Sequence, residues 1–186
     1  MISNEEKVNL SKFISDTIEL NIQQSNTFLY NNNEILNNYS MFNVPEHINI
    51  SFIDYVTLII NNFKCNFVCY IYALIYMDRI FNKCNIYLNK INMYKIFSIS
   101  LLCAHKYIDD DVYSNKYYSI ISLIKLSEIN KLEKIYLNKI NYDLYVKNDI
   151  FYEYVSKMPV WIADIINNKK ILLKIIFFLC AISKNC

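Results

Sequence analysis

The stretch "INMYKIFSISLLCAHKYIDDDVYSNKYYSII", residues 91–121, decides the fold. Its apolar run belongs to "KINMYKIFSISLLCAHKYI" (90–108), long enough for a helix, with Asn89 placed to accept from the first amides. That run ends on Lys106, and three consecutive carboxylates follow, Asp109, Asp110 and Asp111. Carboxylates beyond a helix C-terminus oppose its dipole by about 0.3–1 kcal/mol each. They are therefore expected to begin a solvated loop beside Lys106. A second apolar segment, "NKYYSIISLI" (115–124), then starts after Ser114 or Asn115. A sheet would need alternation and Gly- or Pro-rich turns, and neither is present.

Working outward, the same period recurs. Residues 5–30 carry Val8, Leu10, Phe13, Ile14, Ile18, Leu20 and Ile22 at helical spacing, and the Asn-rich stretch 30–40 reads as a loop. "ISFIDYVTLIINNF" (50–63) places Phe52, Tyr55, Val56, Ile59 and Phe63 on one side. "FVCYIYALIYMDRIF" (67–81) is apolar nearly all round, which implies enclosure by other helices. "EINKLEKIYLNKINY" (128–142), capped by Ser127, has Ile129, Leu132, Tyr136 and Ile140 as its inner stripe. Two more helices, near 148–158 and 160–183, are separated by Pro159. The prediction is an all-α fold: five central helices with flanking N- and C-terminal helices.

Composition removes whole classes of function. The 186 residues include no glycine and two prolines, so no Walker loop, dinucleotide fingerprint or nucleophile elbow can form. A formal charge of +2 with both signs interspersed gives no basic field for nucleic acid. The six cysteines, Cys65, Cys69, Cys84, Cys103, Cys180 and Cys186, form no CxxC pair; with no signal-peptide pattern at the N-terminus they read as reduced, mostly buried thiols of a cytosolic or nuclear protein. His47 and His105 are the only histidines and lie far apart, so no metal or other cofactor is expected. No run reaches the roughly 18–20 apolar residues that span a bilayer. The run 171–182, interrupted by Lys174, reads as a helix buried in protein, with membrane or partner packing as the other option.

"IYALIYMDRIF", "LNKINMYKIFSISLLCAHKYIDDDVYSNKYYSII" and "LSEINKLEKIYLNKINYDLYV" together resemble the cyclin box, and in detail the single-box P/U-type cyclins of the phosphate-signalling group. The likeness runs over about residues 8–158, and "YIDDDVYSNKYY" and "EINKLE" are its specific parts. It implies a five-helix box at 46–146, between an N-terminal helical extension (1–45) and a C-terminal one (147–186). It also implies a non-catalytic regulatory subunit, partnered with a cyclin-dependent kinase whose catalytic-glutamate helix it positions. By the resemblance, Lys106 and Glu133 grip that kinase helix. Tyr107, Tyr113 and Tyr117 are the expected anchors, and one of Asp109, Asp110 and Asp111 is expected to meet a kinase arginine. The N-terminal helix and 147–158 are expected to extend the contact. From spacing alone, Lys106 and Glu133 would be an ordinary ion pair or two solvated charges worth under about 1 kcal/mol.

Departures from the family pattern are specific. "NVHR" reads "NMYK" (92–95), so Tyr94 and Lys95 replace His and Arg; "VGG" reads "SLI" (122–124), a turn without glycine. The first helix has no Arg for Asp78, which must be satisfied otherwise. Nothing in "NISFIDY" (49–55) matches the substrate-docking patch of mitotic cyclins.

Two enzyme readings fail. Helical diphosphate enzymes need two separated acidic motifs, and "DDDVY" is a single cluster with the wrong spacing. Cys103 and His105, two residues apart on a helix, point to different faces. The remaining alternative is a cyclin-fold adaptor that binds another protein without activating a kinase.

Overall fold

A computed structural model describes residues 3–32, 40–43, 49–84 and 86–168. Among them there are helices and no strand: α1 (Asn4–Asn32), a 3-10 turn (Ser40–Phe42), α2 (Phe52–Asn62), α3 (Phe67–Cys84), α4 (Met93–Ile108), α5 (Asn115–Ile121), α6 (Leu126–Lys139), α7 (Asn148–Ser156) and α8 (Val160–Asn168). The all-α expectation holds, with α2–α6 as the five central helices. His47, residues 33–39, and the run 171–182 with Lys174, Cys180 and Cys186 lie outside the described residues. The chain forms two compact units, residues 1–144 and 145–186.

In the first unit, every residue of α3 from Val68 to Met77 is buried, as its all-round apolarity predicts. α4 is equally enclosed, from Met93 to His105, because α3, α6 and the 3-10 turn all pack against it. Each large apolar side chain so withdrawn contributes about 1.5–3 kcal/mol. α2 buries Phe52, Tyr55, Val56 and Ile59, and α6 buries Ile129, Leu132 and Tyr136, the stripes read from sequence. α1 is narrower than its pattern suggests: Leu10, Ile14, Ile18 and Ile22 are buried, whereas Val8 and Leu20 are exposed. Among the described residues its main packing partner is α2, and one such helix covers one stripe.

Helix ends follow the expected caps at two positions and depart from them at others. Ser51 and Ser114 cap α2 and α5 as hydroxyl N-caps do. Ser127 does not cap α6; Lys125 holds that position with extended backbone and no side-chain bond, so the helix starts two residues early. Asn89 serves the turn before α4: its Oδ1 accepts from the amides of Ile91 and Asn92, while Asn92 Oδ1 accepts from the Asn89 amide. At the end of α6 the Asn141 amide donates to the Asn138 carbonyl and the Tyr142 amide to Leu137, a Schellman closure with Asn141 left-handed at φ 57°. The Asn-rich stretch is helical as far as Asn32, against the expectation of a loop from residue 30.

Both replaced family positions are used. Tyr94 donates to the Ile50 carbonyl and packs edge-on against Phe52. Lys95 is buried, pairs with Glu128 at 2.5 Å and donates to the Asn43 carbonyl. Asp78 is half-buried and engaged; it lines a cleft of about 530 Å³ with Asn21, Gln24 and Ser25 of α1. Beside it, Arg79 and Lys83 both reach Asp143, at 3.3 and 3.0 Å.

In the second unit, α7 and α8 pack on each other across the break at Pro159. α7 buries Phe151 and Val155. Among the described residues no helix is long and apolar enough to cross a membrane.

Candidate functional site

Three helices meet at one rim of the first unit. The last turn of α4 brings Lys106 out of the core, and the middle of α6 places Glu133 beside its buried stripe. Lys106 Nζ donates to Glu133 Oε1 at 2.6 Å, with the lysine side chain 31% and the glutamate 16% exposed. The N-terminus of α5 adds Asn115, whose Nδ2 donates to Glu133 Oε2 and to Asn130 Oδ1, each at 2.8 Å. A carboxylate can only accept, so the amide must present its NH2 to Glu133. Asn115 Oδ1 is left buried without a partner.

The acidic stretch divides. Asp110 and Asp111 are exposed, as a solvated loop requires. Asp109 turns back: its Oδ2 accepts from the Asn66 amide at 2.8 Å and from the Cys69 thiol at 3.4 Å. Those groups open α3, so the carboxylate that opposes the α4 dipole sits favourably at another helix N-terminus. Its side chain is 19% exposed, which corrects the view of Asp109 as part of the solvated loop.

His105 lies between these two groups and is fully buried. Its Nδ1 is bonded to the Tyr118 hydroxyl, and its Nε2 lies 3.3 Å from Asp109 Oδ2 without hydrogen-bond geometry. Burial lowers its pKa below the usual value, the Asp109 charge opposes that shift, and Lys106 adds to it. Tyr113 stacks on the imidazole with centroids 5.6 Å apart, and Tyr117 lies 4.5 Å from Tyr113. Tyr117 also donates to the Asn62 carbonyl at 2.7 Å. Tyr107 is half-buried, 6.4 Å from Tyr72. Thus Lys106 and Glu133 touch, Tyr113 and Tyr117 form a neighbouring aromatic pair, and Tyr107 turns towards α3.

Among the described residues no activated nucleophile emerges. Burial pushes the Cys103 and Cys69 thiols up, away from the reactive thiolate. Cys65, Cys69, Cys84 and Cys103 are all free. Among the described residues no group of three or more His, Cys, Asp or Glu side chains is arranged for a metal ion. What the rim can do is present a lysine with unused donors, steadied by a carboxylate and an amide. Sequence reasoning missed Asn115, Asn130 and the Tyr118–His105 contact. Asn115 was legible only as a cap, because a bond between two helices leaves no mark in either one's period.

The chain is similar to known proteins over most of its first unit. The profile of the family described as Cyclin matches residues 3–144. The chain is 31% identical over 126 residues to Cyclin-U4-3 of Arabidopsis thaliana, covering 67% of this chain and 58% of that protein. It is 27% identical over 135 residues to Cyclin-P3-1 of Oryza sativa subsp. japonica, covering 73% and 57% respectively. A shorter match, 35% over 57 residues, joins 31% of this chain to 25% of PHO85 cyclin-5 of Saccharomyces cerevisiae. The chain therefore spans under three-fifths of the length of these two plant relatives.

Proposed function

The chain belongs to the cyclin family, and from that premise we propose that it is the regulatory subunit of a cyclin-dependent serine/threonine kinase. It binds the kinase helix that carries the catalytic glutamate and seats it, so that the lysine–glutamate pair orienting ATP can close. Lys106 and Glu133 are the contact residues, with Tyr113 and Tyr117 beside them and Asp110 and Asp111 at the margin. Tyr107 and Asp109 support this surface from within. The name PHO85 cyclin-5, carried by one relative, favours a kinase of that group as partner.

One observation carries the reading. Lys106 and Glu133 come from helices α4 and α6, meet at 2.6 Å, and remain partly exposed. A pair serving stability alone gains little in such a place. A pair that meets another protein is withdrawn from water on binding, and there truncating one partner costs about 2–5 kcal/mol.

The test is affinity capture from cells with the wild-type chain beside Lys106→Ala and Glu133→Ala. Retrieved proteins are identified and scored for phosphotransfer. Wild type is expected to retrieve an active kinase, and each variant at least about ten-fold less. A wild-type chain that retrieves no kinase would leave the adaptor reading in its place.

A further inference from the structure

We infer that Asn115 is a positioning residue, fixing Glu133 so that the Lys106–Glu133 pair meets its partner already aligned; the inference rests on the kinase-docking reading above. A glutamate on a helix surface has several rotors and, held by one bond, can swing. Glu133 is held at both oxygens: Oε1 by Lys106 of α4 and Oε2 by Asn115 of α5. Asn115 is itself tied to Asn130 Oδ1, three residues before Glu133 on α6. The three helices are thus triangulated through one carboxylate.

Two observations separate this role from helix capping. Ser114 already caps α5, its hydroxyl accepting from the Tyr117 amide, so the helix start does not require an amide side chain at 115. Holding Glu133 also leaves Asn115 Oδ1 buried and unpaired. Folded proteins seldom leave such an acceptor unpaired, and the exceptions concentrate where function constrains geometry. With both carboxylate oxygens held from within, the outward member of the pair is Lys106, which is about twice as exposed as Glu133. Its remaining ammonium hydrogens suit a partner element rich in acceptors, such as the carbonyls ending a helix.

The test uses the full chain as wild type, Asn115→Ala and Asn115→Asp, with two readouts. On the isolated chain, the Lys106 ammonium resonance in heteronuclear NMR reports whether the pair is held. It is expected to be sharp in wild type and exchange-broadened in Asn115→Ala; an unchanged resonance overturns the inference whatever the kinase does. The second readout is affinity for the kinase that wild type retrieves. Asn115→Asp sets two carboxylates against each other, and such pairs take up a shared proton readily. Its affinity is expected to fall about ten-fold at about pH 7.5 and to recover towards wild type near pH 5.5, where a protonated carboxyl restores the donor. Loss equal at both pH values, or no loss, overturns the positioning role. A wild type that binds no kinase instead removes the docking reading, while the resonance still decides whether Asn115 holds the pair.

Discussion

At the scale of single residues, His105 is a titratable ring withdrawn from water. It is fully buried, with Tyr118 on Nδ1, Asp109 near Nε2, Tyr113 against its face and Lys106 next in sequence. Burial is the leading cause of its lowered pKa, and Asp109 only partly offsets it. The folded state therefore resists a proton that the unfolded chain accepts at about pH 6.5. The associated stability is fully present above that value and is lost as pH falls through it towards the lower folded pKa. The urea midpoint of the wild-type chain should fall between about pH 7.5 and about pH 5.5. In His105→Gln, which keeps a polar group for Tyr118, that part of the slope should vanish. A slope of equal size in both chains would place the titration elsewhere.

At the scale of elements, helices were legible and their junctions were not. The stripes of α2 and α6 and the enclosure of α3 follow from period and polarity, which a single sequence carries openly. Three features depended on contacts that no period encodes: the early start of α6 at Leu126, the exposure of Val8 and Leu20 on α1, and the inward turn of Asp109. The absence of glycine left a traceable cost in the α5–α6 turn. Leu123 stands there at φ 56°, a left-handed conformation that disfavours a side chain with Cβ by about 1–2 kcal/mol. It is 58% exposed, so its side chain returns little burial. Leu123→Gly should raise the unfolding free energy by about 0.5–1 kcal/mol, the strain relief exceeding the added entropy of the unfolded chain. Denaturant titration reads this directly, and a lower midpoint would mean that Leu123 makes a contact outweighing its strain.

At the scale of the whole molecule, the question is whether the rim serves the fold or a partner. A family resemblance singles out Lys106 and Glu133; spacing alone favours an ordinary ion pair or two solvated charges. The sequence could not announce Asn115, because its partners Asn130 and Glu133 lie 15 and 18 residues away on another helix. Energetics can divide the two roles. The core of the first unit is carried by α3 and α4, whose buried faces leave the rim little to add. Against that background, a pair 31% and 16% exposed should contribute no more than about 1 kcal/mol. Lys106→Ala should therefore shift unfolding by about 1 kcal/mol or less, and Glu133→Ala by somewhat more because it also releases Asn115, while each weakens kinase binding by about 2 kcal/mol or more. The double variant should bind no more weakly than the sum of the singles, since each loss already contains the shared contact. Stability losses of several kcal/mol that account for the lost binding would make the pair a strut of the bundle, and the docking surface would have to be sought away from this rim.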